Sequence, residues 1–243
     1  MKKRLYAVCR DLGVLSYSEA LEIQRSEFEA LLAAKNGRGG KDAEARSDAG
    51  DGYIGTIFTV EHPAVYTLGK NGRESNLLVS EELLRRGGAE FVRTDRGGDI
   101  TFHGEGQIVG YPVLDLEPAG IGLRDYIDKL EQAVIDTMAD YGMECGRSAG
   151  ASGVWLGGAN MEQKGSLRKI CAIGVRASRY VTMHGFALNV TTDLSRFAAI
   201  NPCGFTDRGV TSMERELGYA PSIEEVKKKV ITRLAEGLGI EIR

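Results

Sequence analysis

The chain has 243 residues, a hydrophobic fraction of 42% and a net charge of -3. This length fits one large domain with a substantial core. The lack of an overall basic charge argues against a nucleic-acid partner, and the lack of a long apolar run argues against a membrane partner.

The cysteines and the first residues indicate a cytoplasmic protein. Cys9, Cys145, Cys171 and Cys203 are few and scattered, which is typical of reduced thiols rather than of a disulfide framework. The basic start of the chain is interrupted by Arg10 before an apolar segment can form, so it does not resemble a secretory signal.

The N-terminal segment predicts a strand, a helix and a loop. Residues 5–8 favour a strand, and the capping box Ser16-x-x-Glu19 begins an amphipathic helix that runs to about Ala34. Residues 36–52 contain five glycines among alternating charges, which predicts a mobile surface loop.

Short elements follow this loop. Strands are predicted over 54–60, 65–68 and 91–92, and a short helix over 80–86. His62 precedes Pro63, which disfavours a helix at that position, and we expect this histidine to have a structural role.

A glycine-rich stretch, RGGDITFHGEGQ (residues 96–107), is the most distinctive part of the chain. Its four glycines permit positive φ and the close approach of a ligand or of another chain segment. The stretch predicts a strand, a glycine-laced turn and a second strand, with Arg96, Thr101 and His103 at the mouth between them. The alternative is a tight hairpin with a structural arginine.

The second half predicts two long helices and three strands. The helices cover about 123–141, with Gly142 as the stop, and about 222–238, with a capping box at the start. The remaining predictions are strands over 154–156, 170–175 and 183–190, a hairpin connection over 160–168, and a polar turn with a short helix over 191–200. Because the elements show no regular βαβ alternation, we predict an α+β fold with a mixed or largely antiparallel sheet and flanking helices.

Cys203 is the best candidate for a nucleophile. It lies between Pro202 and Gly204, in a segment that favours a loop, and a reactive thiol needs a nearby cation or base that lowers its pKa. Lys169 and His184 are candidates for that group. A zinc site formed by His103, His184 and a cysteine is an alternative, although the histidine spacing matches no short metal motif.

Three stretches are informative when they are considered together. They are RGGDITFHGEGQ, KICAIGVRASRYVTMHGFALNV (169–190) and INPCG (200–204). In this order they resemble the octanoyltransferase family of lipoic acid biosynthesis, the lipoyl(octanoyl) transferases. The resemblance covers about residues 53–211. It implies the fold of the biotin and lipoate protein ligases, and a single catalytic domain over residues 1–243 that uses no cofactor and no metal.

The resemblance also implies the reaction and its partners. An octanoyl group would move from octanoyl-acyl carrier protein to a lysine on lipoyl domains of 2-oxoacid dehydrogenase complexes and on the H-type protein of glycine cleavage. Cys203 matches the acyl-accepting cysteine of the family, and Lys169 matches its partner lysine. Gly174 and Gly185 are expected to leave space for the acyl chain.

The same resemblance implies the substrate-binding residues. They are Arg96, Gly97, Gly98, Asp99, Ile100, Thr101, Phe102, His103, Ala172, Ile173, Gly174, Gly185, Phe186 and Ala187. The chain departs from the family pattern at Glu105, where proline is expected, in a longer connection before Lys169, and in the additional thiol of Cys171.

Three other functions stay open at this point. An ATP-dependent lipoate or biotin ligase would share the fold but would not need Cys203. A cysteine hydrolase would use Cys203 with His184 or His103, and water in place of the acceptor lysine. A non-catalytic module would only hold an acylated carrier.

Overall fold

The computed structural model describes residues 4–37, 52–157, 167–201 and 208–243. Most of the predicted surface loop (38–51), most of the predicted hairpin connection (158–166) and the segment with Cys203 (202–207) lie outside the described residues. In the described part of the chain, no helix is long and apolar enough to cross a membrane.

The strands form two sheets. In chain order they are β1 Tyr6–Val14, β2 Tyr53–Glu61, β3 Val65–Leu68, β4 Glu90–Arg93, β5 Ile100–His103, β6 Gln107–Leu114, β7 Cys145–Ser148, β8 Ala151–Leu156, β9 Arg168–Ser178, β10 Val181–Asn189, β11 Gly209–Val210 and β12 Glu241–Ile242. Among the described residues, the large sheet has the order β12-β1-β2-β6-β10-β9-β8-β7, with β11 also paired to β9, and the small sheet has the order β4-β3-β5. Both sheets contain parallel and antiparallel pairs, so the predicted mixed sheet is confirmed.

Helices cover both faces of the large sheet. They are α1 Tyr17–Lys35, α2 Glu81–Arg86, α3 Leu123–Ala139, α4 Met213–Leu217 and α5 Ile223–Leu238, with short 3-10 helices at Glu74–Asn76 and Leu194–Ala199. One core lies between the sheet and α3 and α5, and a second lies between the opposite face and α1. The small sheet has its own core, which includes Tyr66, Phe102 and Phe197.

The capping boxes place the helix starts as predicted. The Ser16 hydroxyl accepts a hydrogen bond from the Glu19 N–H at 3.3 Å, and the Ser222 hydroxyl accepts one from the Glu225 N–H at 3.3 Å. The helix predicted over 123–141 ends at Ala139, and Gly142 is its stop as predicted. Gly142 has φ +73°, and the Met143 N–H donates to the Met138 carbonyl at 3.1 Å across it.

Two features differ from the sequence predictions. The alternative of a tight hairpin across residues 96–107 is wrong, because β5 pairs with β3 in the small sheet while β6 pairs with β2 and β10 in the large one. Strands β7, β11 and β12 and helix α4 were not predicted, because two to five residues are too few to show a period.

The turn between the sheets shows how Glu105 replaces the expected proline. The Gln107 N–H donates to the Gly104 carbonyl at 3.2 Å, and Gly106 has φ +78°. This is the pattern of a type II turn, in which Gly106 occupies the position that needs positive φ and exposed Glu105 occupies the position where proline is common. Glutamate is therefore compatible with the turn.

Candidate active site

A cavity of about 530 Å³ opens beside an uncovered part of β9. Strand β8 pairs with β9 only as far as Cys171. Farther along, the Gly97 N–H donates to the Val175 carbonyl at 3.0 Å, so the loop 94–99 meets the same strand at that point. Between the two contacts, Ala172, Ile173 and Gly174 line the cavity.

The structure brings together most of the residues that the sequence nominated. Those that line the cavity are Arg96, Gly97, Gly98, Asp99, Ile100, Thr101, His103, Lys169, Ala172, Ile173, Gly174, His184, Gly185, Phe186 and Ala187. Phe102 does not line it, because its ring packs in the core of the small sheet, 5.0 Å from the ring of Tyr66. Cys203 lies outside the described residues.

Sequence reasoning missed another group of cavity residues. They include Tyr17, Gln107, Val109, Tyr111, Leu123, Ile127, Asn189, Phe197 and Val210. Gln107 and Asn189 lie inside the stretches that carry the family resemblance, so the sequence did offer a signal for these two site residues. Tyr17 and Tyr111 have the spacing of ordinary core residues, so their place at the cavity follows only from the packing of α1 on the sheet.

A β-bulge directs Lys169 into the cavity. Val154 pairs with Cys171 but the next residue, Trp155, pairs with Lys169, so β9 has one additional residue here. As a result, consecutive Ile170 and Cys171 both belong to the core under α3 and α5. Lys169 and Ala172 can then face the cavity together, although three residues apart in a regular strand would place them on opposite faces.

The Lys169 side chain is held in a buried position. It is 9% exposed, and its Nζ lies 4.5 Å from the centre of the Trp155 ring, within reach of a cation-π contact. The Arg208 guanidinium also lies over that ring, at 5.3 Å. On the β8 side, the buried carboxylate of Glu131 accepts hydrogen bonds from the Gly153 N–H and from Arg147, both at 2.9 Å, and so fixes the strand opposite Lys169.

Arg96 organises the glycine-rich loop around its buried guanidinium. Its Nη2 donates to the Thr67 carbonyl and to the Asp99 carbonyl, both at 2.7 Å, and its Nη1 donates to the Gly97 carbonyl at 3.1 Å. Its planar fork of donors therefore holds the loop onto β3 from inside.

Two glycines of the predicted site have a role that differs from the one expected. A Cβ atom on Gly174 would lie 2.7 Å from the Gly97 carbonyl oxygen, and one on Gly185 would lie 2.2 Å from the Gly110 carbonyl oxygen. The space beside both residues is thus occupied by protein backbone. These glycines permit close packing of the loop and of β6, and they do not make room for an acyl chain at their own Cβ positions.

A chain of hydrogen bonds determines the tautomer of His103. Asn189 donates through Nδ2 to the Thr211 carbonyl and accepts through Oδ1 from Gln107, so the Gln107 Oε1 is left as the acceptor for His103 Nδ1 at 2.7 Å. The proton of neutral His103 therefore lies on Nδ1. Its Nε2 lone pair faces the Thr67 hydroxyl at 3.4 Å, an arrangement that suits a positioning group rather than a base for a thiol.

His184 is far from Lys169 along the sheet. The register pairs it with Val175, six residues beyond Lys169 and roughly 20 Å along the strand. His184 Nε2 lies 2.8 Å from Asp95 Oδ1, and this hydrogen bond is the main reason why the pKa of Asp95 falls to about 2. This distance argues against a role for His184 in activating a thiol that lies beside Lys169.

Among the described residues, no group of three or more His, Cys, Asp and Glu side chains could hold a metal ion. Burial raises the pKa of all three cysteines in this part of the chain, Cys9, Cys145 and Cys171. Their thiols are consequently poor nucleophiles near neutral pH.

Three buried histidines, His62, His103 and His184, should make the fold sensitive to acid, because burial lowers the pKa of each. Burial lowers the pKa of His62 to about 4, and burial, assisted by His62 and Arg96, lowers the pKa of His103 to about 3. Between these values and about 6.5 the unfolded chain binds more protons than the folded one. The contribution of each histidine to the free energy of unfolding is therefore fully present above pH 6.5. It falls by up to about 1.4 kcal/mol per pH unit as the pH decreases below that value.

Urea unfolding at pH 7, 6, 5 and 4.5 measures this effect. The His62→Gln variant should lose less unfolding free energy than the wild type between pH 6.5 and 4.5, because one of the three titrating histidines is gone. The depressed pKa of Asp95 acts only below about pH 4 and does not interfere. Equal slopes for the two proteins would contradict the assignment of His62.

Comparison with known proteins agrees with this geometry. Residues 44–235 match the lipoyl protein ligase A/B catalytic domain. An octanoyltransferase of Bacteroides fragilis is 48% identical over 231 residues, 95% of this chain and 97% of the relative. An octanoyltransferase of Parabacteroides distasonis is 50% identical over 220 residues, 90% of this chain and 93% of the relative.

Solved structures share the fold at lower identity. A bi-partite lipoate protein ligase of Thermoplasma acidophilum, studied with its E2 lipoyl domain, has a TM-score of 0.65 at 15% identity and covers 98% of this chain and 86% of its own. Lipoate-protein ligase A bound with ATP has a TM-score of 0.60 at 16% identity, with coverages of 100% and 88%.

The chain belongs to the family of the lipoyl protein ligase A/B catalytic domain. Its mixed sheet with flanking helices is the fold that the solved lipoate protein ligases share with it. Within the family, near full-length identity of 48–50% groups the chain with the octanoyltransferases, so it is an acyltransferase of protein lipoylation. The family resemblance, the ligase-like fold and the octanoyltransferase activity expected from the sequence are confirmed.

Proposed function

We propose that the protein transfers the octanoyl group from octanoyl-acyl carrier protein to a lysine of a lipoyl domain through a thioester on Cys203, with Lys169 as the partner of that cysteine. The observation that carries the proposal is the position of buried Lys169 in the cavity. The chain on both sides of residues 202–207 also reaches the cavity, because Phe197 and Val210 line it and Val210 pairs with Lys169.

The first half of the reaction forms the enzyme thioester. The Cys203 thiolate attacks the carbonyl carbon of the octanoyl thioester, the bond to the carrier sulfur breaks, and the carrier thiol leaves with a proton. The Lys169 ammonium favours the thiolate and is the proton source for the leaving sulfur. Because one thioester replaces another, this half is readily reversible.

The second half forms an amide. The ε-amine of the acceptor lysine attacks the Cys203 thioester, and the carbon–sulfur bond breaks. Neutral Lys169, having given its proton to the carrier thiol, takes the proton that the attacking amine must lose. The amide is more stable than the thioester, so this half makes the overall transfer favourable.

The proposed acceptor is a lipoyl domain, as on 2-oxoacid dehydrogenase complexes and the H-type protein of glycine cleavage. It is supported by family membership and by the archaeal ligase, whose structural study includes its E2 lipoyl domain. The proposed donor, octanoyl-acyl carrier protein, follows from the thioester chemistry, because a preformed thioester needs no activation by ATP.

A transfer assay without ATP tests this function. Purified protein is incubated with octanoyl-acyl carrier protein and a lipoyl domain, and the intact mass of the domain is recorded. We expect one octanoyl group on the domain in the absence of ATP, and none when free octanoate replaces the carrier. Modification only from free octanoate with ATP would instead identify a ligase, and release of free octanoate at the transfer rate would identify a hydrolase.

A further inference from the structure

Three small residues form a row across the floor of the cavity. The register pairs Ala172 of β9 with Ala187 of β10, and Ala187 with Val109 of β6. All three residues line the cavity. Ala187 and Val109 belong to the core under α1, and the pairing with Ala187 places Ala172 on the same sheet face. The three residues make an apolar row that begins three residues along β9 from Lys169 and crosses three strands.

The next residue in this row, beyond Val109, lies in the core and not at the cavity. Val60 of β2 pairs with Val109, is 1% exposed and belongs to the core under α1. It does not line the cavity. The row has alanine at β9 and β10 and the larger valine at β6 and β2. Val109 is therefore the last residue of the row that lines the cavity.

Two tyrosines form a fixed wall at the same end. The Tyr111 hydroxyl lies 2.7 Å from His62 Nε2, and the Tyr17 ring stacks on the His103 ring at 5.9 Å. Tyr17 and Tyr111 line the cavity and are almost fully buried. Because polar contacts or ring stacking hold both rings, neither is free to rotate away from a longer ligand.

We infer that Val109, backed by Tyr17 and Tyr111, sets the length of acyl chain that this enzyme accepts. The inference rests on the proposed octanoyl transfer. Neighbouring strands lie about 4.8 Å apart, so the row from Ala172 to Val109 spans about 10 Å, close to the extended length of an eight-carbon chain. A longer chain meets Val109 and the tyrosine wall, and a shorter one leaves apolar surface unfilled.

Paired donors test this role. Hexanoyl-, octanoyl- and decanoyl-acyl carrier proteins are compared at limiting concentration, with a lipoyl domain as acceptor. Val109→Ala should raise the decanoyl-to-octanoyl ratio of kcat/KM by about tenfold, because two additional methylene groups can then be buried. Val109→Ile, which adds one methylene group to the wall, should shift the preference from octanoyl towards hexanoyl.

Val113→Ala is the matched control. Val113 lies four residues along β6 in the same core under α1, is fully buried and does not line the cavity. It should lose stability like Val109→Ala but keep the wild-type chain preference. If Val109→Ala does not fold, the direction of the shift in Val109→Ile decides the question.

Two negative outcomes are distinguishable. Octanoyl transfer by folded Val109 variants with wild-type chain preferences would overturn the role of Val109 and leave the proposed function intact. Failure of the wild type itself to transfer octanoyl from the carrier would instead overturn the proposed function.

Discussion

Cys203→Ala should form no octanoyl adduct and should transfer octanoyl at less than about one thousandth of the wild-type rate, as expected for loss of a covalent nucleophile. The measurement uses the donor alone. Protein is incubated with octanoyl-acyl carrier protein, without any acceptor domain, and its intact mass is recorded. Wild type should gain one octanoyl group, and peptide mapping should locate it on Cys203.

The other cysteines supply the controls. Cys9 and Cys145 are partly buried and do not line the cavity, and the raised pKa of each thiol makes it a weak nucleophile. Cys9→Ala and Cys145→Ala should therefore retain both the adduct and the transfer. An adduct that persists in Cys203→Ala, or transfer at the wild-type rate by that variant, would contradict a thioester on Cys203.

Lys169→Ala should slow both halves of the reaction, by about 10²- to 10⁴-fold in overall transfer, which is the usual range for loss of a general acid–base group. Rapid mixing with octanoyl-acyl carrier protein measures adduct formation. Mixing the preformed adduct with a lipoyl domain measures the second half. Without the ammonium the thiolate is less populated, and without the amine no group in that position takes the proton from the acceptor lysine.

Lys169→Arg separates these two contributions. A guanidinium keeps the positive charge but does not release its proton near neutral pH. We expect this variant to recover part of the rate of adduct formation and to remain slow in transfer to the lipoyl domain. Recovery of both halves would mean that charge alone accounts for the role of Lys169.

Arg168→Ala is the matched control for Lys169. Arg168 is the preceding residue, pairs with Glu216 at 2.9 Å and does not line the cavity. It should lose a partly exposed ion pair, worth at most about 1 kcal/mol, and keep its transfer rate. If Arg168→Ala slowed transfer as much as Lys169→Ala, the Lys169 effect would reflect disturbance of β9 rather than chemistry.

Local sequence patterns determined much of the fold. The capping boxes at Ser16 and Ser222 place the helix starts, since a serine hydroxyl three residues before a glutamate satisfies the backbone donors of the first turn. The α+β class follows from alternating and helical periods. The family membership follows from ordered linear motifs, which need no three-dimensional information.

Pairing between distant segments was not determined in this way. A glycine-rich turn joins β5 to β6, and nothing local indicates that the two strands enter different sheets. His184 likewise lies within β10, which also carries cavity residues, yet the register places it opposite Val175 and away from Lys169. Register depends on contacts made by the whole sheet, and a sequence pattern of period two is the same for either choice.

The sequence by itself determined the residue types of the site, its family and its candidate cysteine and lysine. Only the tertiary structure decided which residues share a face. The bulge that brings Lys169 to the side of Ala172, and the row from Ala172 through Ala187 to Val109, depend on strand neighbours far apart in the chain. A single additional residue in one strand reverses the faces beyond it, and that shift is set by packing against the partner strand rather than by local composition.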